Sequence, residues 1–304
     1  MHEPAPAFAL VVVNYGSSAM LVENLAPLRM PEGGCVIVVD CFTDEAERAR
    51  VAALTAAHGW HALLLAENVG FGAGVNAGAE VAIERGAEVI VTLNPDATIS
   101  TDALTALVSV AAARRALVSP RIVTSTGAPW FAGADLYLDL GFSASQRRRP
   151  EFAGRPRREW STGACFAISS SLWRELGGFD DSYFLYWEDV DLSHRVLDLD
   201  GELLVIDVTA VHDEGGTHAG RRQGRAKSET YYYYNIRNRL LYAAIHLDDE
   251  GVLRWLRSAR RESYRVLLQG GRRQLLTSAA PWRAYRRGLR DGRALVRLRR
   301  PDLR

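Results

Sequence analysis

Lysine is almost missing from this chain. Lys227 is the single lysine among 37 basic residues, so the positive charge is carried by arginine. Cysteine is scarce as well: Cys35, Cys41 and Cys165 make an odd count with no CxxC spacing. That pattern argues against a disulfide framework and predicts reduced thiols in a cytosolic protein. No run of apolar residues reaches the length of a membrane-spanning helix. The opening "MHEPAPAFALVVVNYG" has no basic segment ahead of its short apolar run, so no secretory signal is expected. Internal repeats are also absent.

What is present is an ordinary globular composition, 304 residues with 48% hydrophobic and 24% charged. It suffices for one large domain with an appendage, or for two domains. The net charge of +1 hides an asymmetry. Residues 251–304 hold 16 arginines against Glu262, Asp291 and Asp302, a local +13 that leaves −12 for the rest. A basic tail on an acidic body predicts an anionic partner for the tail: a membrane, a nucleic acid or the body itself.

Along the first 115 residues strand and helix patterns alternate. "FALVVVNY" (8–15), "CVIVVD" (35–40), "HALLLAE" (61–67) and "VIVTLNPD" (89–96) read as buried parallel strands. Helical patterns follow at 18–28, 44–59, beyond "NVGFGAGVNAG" to about Arg85, and at 101–113. Such an order predicts a mostly parallel sheet covered by helices, with ligand chemistry at the carboxyl ends of its strands. Asn14, Tyr15, Asp40, Asn68, Asn94 and Asp96 stand at those ends. Further on, "LVSPRIV" (117–123) and "LLVIDVTAVH" (203–212) read as strands, and "GACFAISSSLWRELGGF" (163–179) as strand, turn and short helix. Residues 141–160, with six arginines, read as a mobile loop or one ordered by a ligand. From Thr230 the pattern is helical, with Arg-rich amphipathic stretches at 252–268 and 282–300 and a break at Gly270–Gly271.

Each motif has a plain reading beside a chemical one. "LNPDA" (93–97) is good turn chemistry, and equally a strand-end carboxylate able to hold a divalent cation. "ENVGFGAGVNAG" (67–78) could bring backbone amides to a phosphate at a helix start; its "GAGVNA" fits a dinucleotide fingerprint, but after the third strand rather than the first. In "YFLYWEDVDLSHR" (183–195), Asp191 and Arg195 suit a helix pair. Glu188 and Asp189, set against aromatic residues, suit a carboxylate of raised pKa acting as a general base. In "VHDEGGTH" (211–218), His212 could complete a metal shell begun by Asp96, with His218 less well placed.

Taken together, these segments resemble family 2 glycosyltransferases of the GT-A fold, over roughly residues 8–240, and most of all bacterial rhamnosyltransferases that extend lipid-linked glycans. The resemblance implies an α/β, Rossmann-like, mostly parallel sheet flanked by helices. Residues 1–228 would form the transferase domain, with a nucleotide-sugar half to about 115 and an acceptor half from about 116. Residues 229–304 would form a helical Arg-rich extension. It implies that Asn14, Tyr15 and Asp40 hold the nucleotide base and ribose, and that Asn68, Gly72 and Asn76 line the donor pocket. Asn94 and Asp96 would form the remnant of an acidic metal motif. Asp96 and His212 would ligate Mg²⁺ or Mn²⁺, Asp189 would be the catalytic base, and Glu188 would shape the acceptor site. Cys41 stands where the family often has Asn, which bears on nucleotide preference. The implied reaction is an inverting transfer from a nucleotide diphosphate sugar, dTDP-rhamnose before a UDP-sugar, to a glycan or polyprenyl-diphosphate-linked acceptor in envelope polysaccharide synthesis. The implied location is cytoplasmic, with peripheral contact at the inner membrane face through the C-terminal helices. The rival readings are an NAD-dependent oxidoreductase built on "GAGVNA" and a non-catalytic sugar-nucleotide binding module. No nucleic-acid motif accompanies the tail, so no nucleic-acid partner is expected.

Overall fold

The computed structural model describes residues 7–212 and 226–303. His218 lies outside them. In chain order, the first elements are β1 (Phe8–Asn14), α1 (Ser18–Met20), β2 (Gly34–Asp40), α2 (Glu45–His58), β3 (His61–Leu64), α3 (Phe71–Glu84), β4 (Val89–Leu93), β5 (Ala97–Ile99), α4 (Thr101–Ala113), β6 (Ala116–Val123) and β7 (Pro129–Phe131). Then come β8 (Ala134–Tyr137), β9 (Phe142–Ser145), β10 (Arg157–Trp160), β11 (Cys165–Ser169), α5 (Ser170–Leu176), α6 (Glu188–Asp198) and β12 (Glu202–His212). Four helices close the chain: α7 (Glu229–His246), α8 (Asp249–Gln269), α9 (Arg272–Thr277) and α10 (Ala280–Arg299).

The described residues fall into two compact units. One draws on residues 7–134, Glu159–Asp181 and 188–212; the other on Asp135–Arg158, Ser182–Trp187 and 226–303. The first holds a mixed sheet in the order β3-β2-β1-β4-β11-β6-β12-β5, with β7 on β6. Strands β3, β2, β1 and β4 run parallel, whereas β11 is antiparallel to both its neighbours. Both faces of the sheet are covered, which is why β1 can be apolar at every position of its run. Phe8, Leu10 and Val12 enter one core with Leu104 and Leu107 of α4, while Ala9, Val11 and Val13 enter the other with Val75 and Ala79 of α3.

Three expectations are corrected. The helix expected over 18–28 is present but shorter and differently wound: α-helical at Ser18–Met20, it continues as a π-helix over Leu21–Leu25 closed by Ala26 N–H to the Leu21 carbonyl at 2.9 Å, and both leucines stay buried. The glycine-rich stretch is not a loop beyond Gly70, because α3 already begins at Phe71. Its glycines serve close packing: a Cβ at Gly78 would stand 2.5 Å from Val11 and 2.8 Å from Val39, and one at Gly74 would stand 3.0 Å from Val13. Finally, 141–160 is organised, with β9, a 3₁₀ stretch over Gln146–Phe152, and β10. The arginines there have partners. Arg149 grips the fully buried Asp135 through two hydrogen bonds of 2.7 and 2.8 Å, and Arg155 pairs with Asp139.

In the second unit, α10 lies along α7 through small residues, and a Cβ at Gly288 would meet the Tyr233 carbonyl at 2.9 Å. Arg239 is buried, donates to the Gly141 carbonyl at 2.8 Å and stacks 4.3 Å over the Trp255 ring. Burial pushes its guanidinium down to about 10. The segment Tyr183–Trp187 is strained, with positive φ at Phe184 (65°), Tyr186 (65°) and Trp187 (77°). The buried Asn238 amide holds it by donating to the carbonyls of Tyr183, Leu185 and Tyr186 at 2.9, 2.9 and 2.7 Å.

Candidate active site

Strand β4 ends in a turn, with Ala97 N–H bonded to the Asn94 carbonyl at 3.0 Å and the Asn24 amide donating to the Pro95 carbonyl at 2.9 Å. The chain then enters β5, which pairs antiparallel with β12 so that His212 lies opposite Ala97. That register, rather than sequence proximity, brings Asp96 to His212. Nε2 of His212 lies 3.1 Å from Oδ1 of Asp96. The imidazole is 5% exposed, and its Nδ1 has no hydrogen-bond partner among the described residues. Two donors each ~2.1 Å from one octahedral ion stand about 3 Å apart, so a hard divalent cation fits between this carboxylate and imidazole. Among the described residues no cluster of three or more His, Cys, Asp or Glu forms a fuller cage. The Trp130 ring packs 4.5 Å from the imidazole, Phe131 follows, and the Trp160 ring lies 5.6 Å from Phe131. Sequence reasoning missed this aromatic wall; "PWF" carries no period or motif that marks it.

The carboxylate pair opens α6. Oδ1 of Asp189 accepts from Val190 N–H at 2.9 Å, and Oδ2 accepts from Gly163 N–H at 3.2 Å. Gly163 permits the approach, since a Cβ there would meet the Phe71 ring at 3.1 Å. Burial raises the Asp189 carboxyl to about 6, against the lowering pull of the amides of Gly163 and Val190. Glu188 is 5% exposed, and its Oε2 lacks a hydrogen-bond partner among the described residues. Burial first, then the charges of Asp189 and Asp191, push it well above the usual carboxylate range. Burial and the neighbouring charges thus disfavour a second negative charge on Glu188 beside Asp189. Asp191 pairs with Arg195 at 2.7 Å, and Arg195 also caps the carbonyls of Leu176 and Gly178, so this pair braces the helix.

The two clusters are linked through one turn. Gly163 N–H reaches Asp189, and the carbonyl of the next residue, Ala164, accepts from Asn94 N–H at 2.9 Å. Antiparallel pairing of β11 with β4, Cys165 opposite Leu93, fixes that junction.

At the ends of β1 and β2 the register sets Asn14 beside Asp40. Both are fully buried, and the Asn14 amide donates to Asp40 at 2.9 Å while its oxygen accepts from the Ser17 amide and hydroxyl. Tyr15, by contrast, is 50% exposed. Cys41 is buried, and burial pushes its thiol up to about 11. Asn68 accepts from Gly70 N–H at 3.0 Å and shapes the entry to α3. Gly72 is buried there, 3.0 Å from the Phe179 Cβ as measured from a Cβ built on it. The Asn76 side chain accepts from Phe179 N–H and donates to the Phe179 carbonyl and Asp181, tying α3 to that segment.

The mixed α/β sheet flanked by helices is the architecture of GT-A glycosyltransferases. Over 98% of this chain and 87% of that chain, the fold is similar to the mannosyltransferase PcManGT from Pyrobaculum calidifontis in complex with GDP-Man and Mn²⁺ (TM-score 0.51, 14% identity). The chain belongs to glycosyl transferase family 2, whose sequence model matches residues 10–188. It is 25% identical over 187 residues to a low-salt glycan biosynthesis hexosyltransferase of Haloferax volcanii, covering 57% of each chain. It is 41% identical over 54 residues to an N-acetylglucosaminyl-diphospho-decaprenol L-rhamnosyltransferase of Mycobacterium tuberculosis, 18% of this chain and 17% of that protein. The match thus spans little more than half of the first relative and under a fifth of the second.

Proposed function

We propose that this chain transfers a hexosyl group from a nucleoside diphosphate sugar to an acceptor hydroxyl, in one displacement that inverts the anomeric carbon. The observation that carries the reading is the path from Asp189 through Gly163 and Ala164 to Asn94, which sets a carboxylate of raised pKa beside the turn bearing Asp96. A general base works best with a pKa close to the working pH. Asp189 accepts the hydroxyl proton as the acceptor oxygen attacks. Glu188, whose ionisation burial disfavours, would line the acceptor site beside Asp189. Asp96 and His212 would hold Mg²⁺ or Mn²⁺, which when bound supplies positive charge for the departing diphosphate. Base and ribose would bind at the strand ends of Asn14, Tyr15 and Asp40, where Tyr15 is exposed and the buried Asn14–Asp40 pair braces the site from below, with Asn68 and Gly72 at the turn beside the donor.

For the donor we take dTDP-rhamnose first and a UDP-sugar second. The acceptor is a glycan on a polyprenyl diphosphate, as the mycobacterial relative's name supports for that protein. The test is a thermal-shift screen of dTDP-, UDP- and GDP-sugars with and without Mn²⁺. The reading expects stabilisation by one nucleotide class, larger with Mn²⁺. Stabilisation by NAD⁺ and by no sugar nucleotide would overturn it. The buried packing of Gly74 and Gly78 already weighs against that oxidoreductase alternative.

A further inference from the structure

We propose that the outer surface formed by α8, α9 and the start of α10 docks on a bilayer containing anionic lipids. Among the described residues, three of the eight exposed large hydrophobic side chains lie on these helices: Tyr264 (44% exposed), Leu276 (88%) and Trp282 (38%). The rings of Tyr264 and Trp282 lie 6.2 Å apart, and the Tyr285 ring lies 6.2 Å from Trp282. The patch is held in place from beneath. Trp282 donates its indole N–H to the Leu275 carbonyl at 3.0 Å, and the Tyr285 hydroxyl donates to the Arg260 carbonyl at 3.3 Å.

Arginine surrounds this patch. Arg260 and Arg257 lie one and two turns before Tyr264 on α8, Arg286 lies one turn after Trp282 on α10, and Arg272 and Arg273 open α9; all five are exposed. The inward face of α10 is Ala284, Gly288, Leu289, Gly292 and Val296. The few acids are shared, with Glu262 serving Arg261 and Arg265, and Glu229 serving Arg283 and Arg287. The +13 of residues 251–304 therefore remains largely uncompensated within that stretch.

The combination selects the partner. Arginine alone would suit any polyanion. An almost fully exposed leucine on the same surface as the Tyr264–Trp282 ring pair suits the boundary of headgroup and acyl chain, where tryptophan and tyrosine sit with one edge wet and leucine is buried. Each arginine near an anionic surface adds to the attraction, and salt screens it. The proposal stands apart from the transfer reaction and would survive its failure.

The full chain is sedimented with vesicles of phosphatidylcholine, with and without phosphatidylglycerol. Binding is expected to the anionic vesicles alone and to weaken with salt. It should fall roughly tenfold or more in Leu276→Ser and in the triple variant Arg257→Glu, Arg260→Glu, Arg286→Glu. Leu276 is so exposed that its serine variant should melt like the parent, which separates docking from folding. Absence of binding, equal binding by Leu276→Ser, or tighter binding to a labelled RNA or DNA duplex than to the vesicles would each overturn the proposal.

Discussion

Asp189 accepts the amide hydrogen of Gly163 at 3.2 Å, so the carboxylate opening α6 is fixed to the turn ahead of β11. The same turn is hydrogen-bonded to Asn94, two residues before Asp96. Backbone pairing, rather than flexible side chains, therefore sets where the proposed base stands relative to the proposed metal ligand. Such rigid support is what a positioned proton transfer requires.

The carboxylate pair predicts a pH signature in both rate and stability. Asp189 acts as a base only when ionised, so turnover should rise with pH through about 6. For stability the sign is opposite. Both Glu188 and Asp189 have folded pKa values above the unfolded ones, so their contribution is full below about 4 and is lost as pH climbs through the folded values. Glu188→Gln should therefore raise the melting temperature at pH 8 while leaving the rising limb of the rate near pH 6. A lower melting temperature at pH 8 would show that the Glu188 charge is compensated.

His212→Ala should remove the Mn²⁺-dependent part of nucleotide-sugar binding, weakening it by about tenfold or more, and should leave the metal-independent part. Calorimetric titration with and without Mn²⁺ measures this. Equal metal enhancement in the variant would remove His212 from the metal site.

Gly78→Ala should cost about 1–3 kcal/mol in urea unfolding, because the new methyl meets Val11 and Val39 across the α3–sheet contact. A phosphate-binding role would instead show as lost nucleotide affinity at unchanged stability.

Asn238→Ala should destabilise by about 1–3 kcal/mol, through buried carbonyls left without their donor beside a strained backbone. Asn238→Asp, of equal size but without the donors, should do the same. Melting at the parent temperature in either variant would mean that the loop holds its own conformation.

Much of the framework was legible because it rests on local pattern. The unbroken apolar run of β1 announced burial on both faces, and Gly59 and Gly177 marked helix ends by adopting positive φ where the helices stop. What escaped depends on partners far along the chain. Glycines that look like a phosphate loop are buried in α3 because β1 and β2 pass close beneath it. Six arginines that look like a loose loop include Arg149, whose partner Asp135 is buried in another strand. Trp130 lies beside His212 because the sheet brings β7 and β12 onto the same neighbour, β6. Within "YFLYWEDVD" the carboxylates could be singled out, but the strain at Phe184, Tyr186 and Trp187 could not, since it is maintained by Asn238 some fifty residues later.

The role of Asp189 is tested most directly by Asp189→Asn, assayed for sugar-nucleotide binding and for turnover on the same preparation. The account predicts unchanged donor affinity and a rate lower by about 10²–10⁴-fold. Turnover equal to the parent, with donor binding intact, would contradict it.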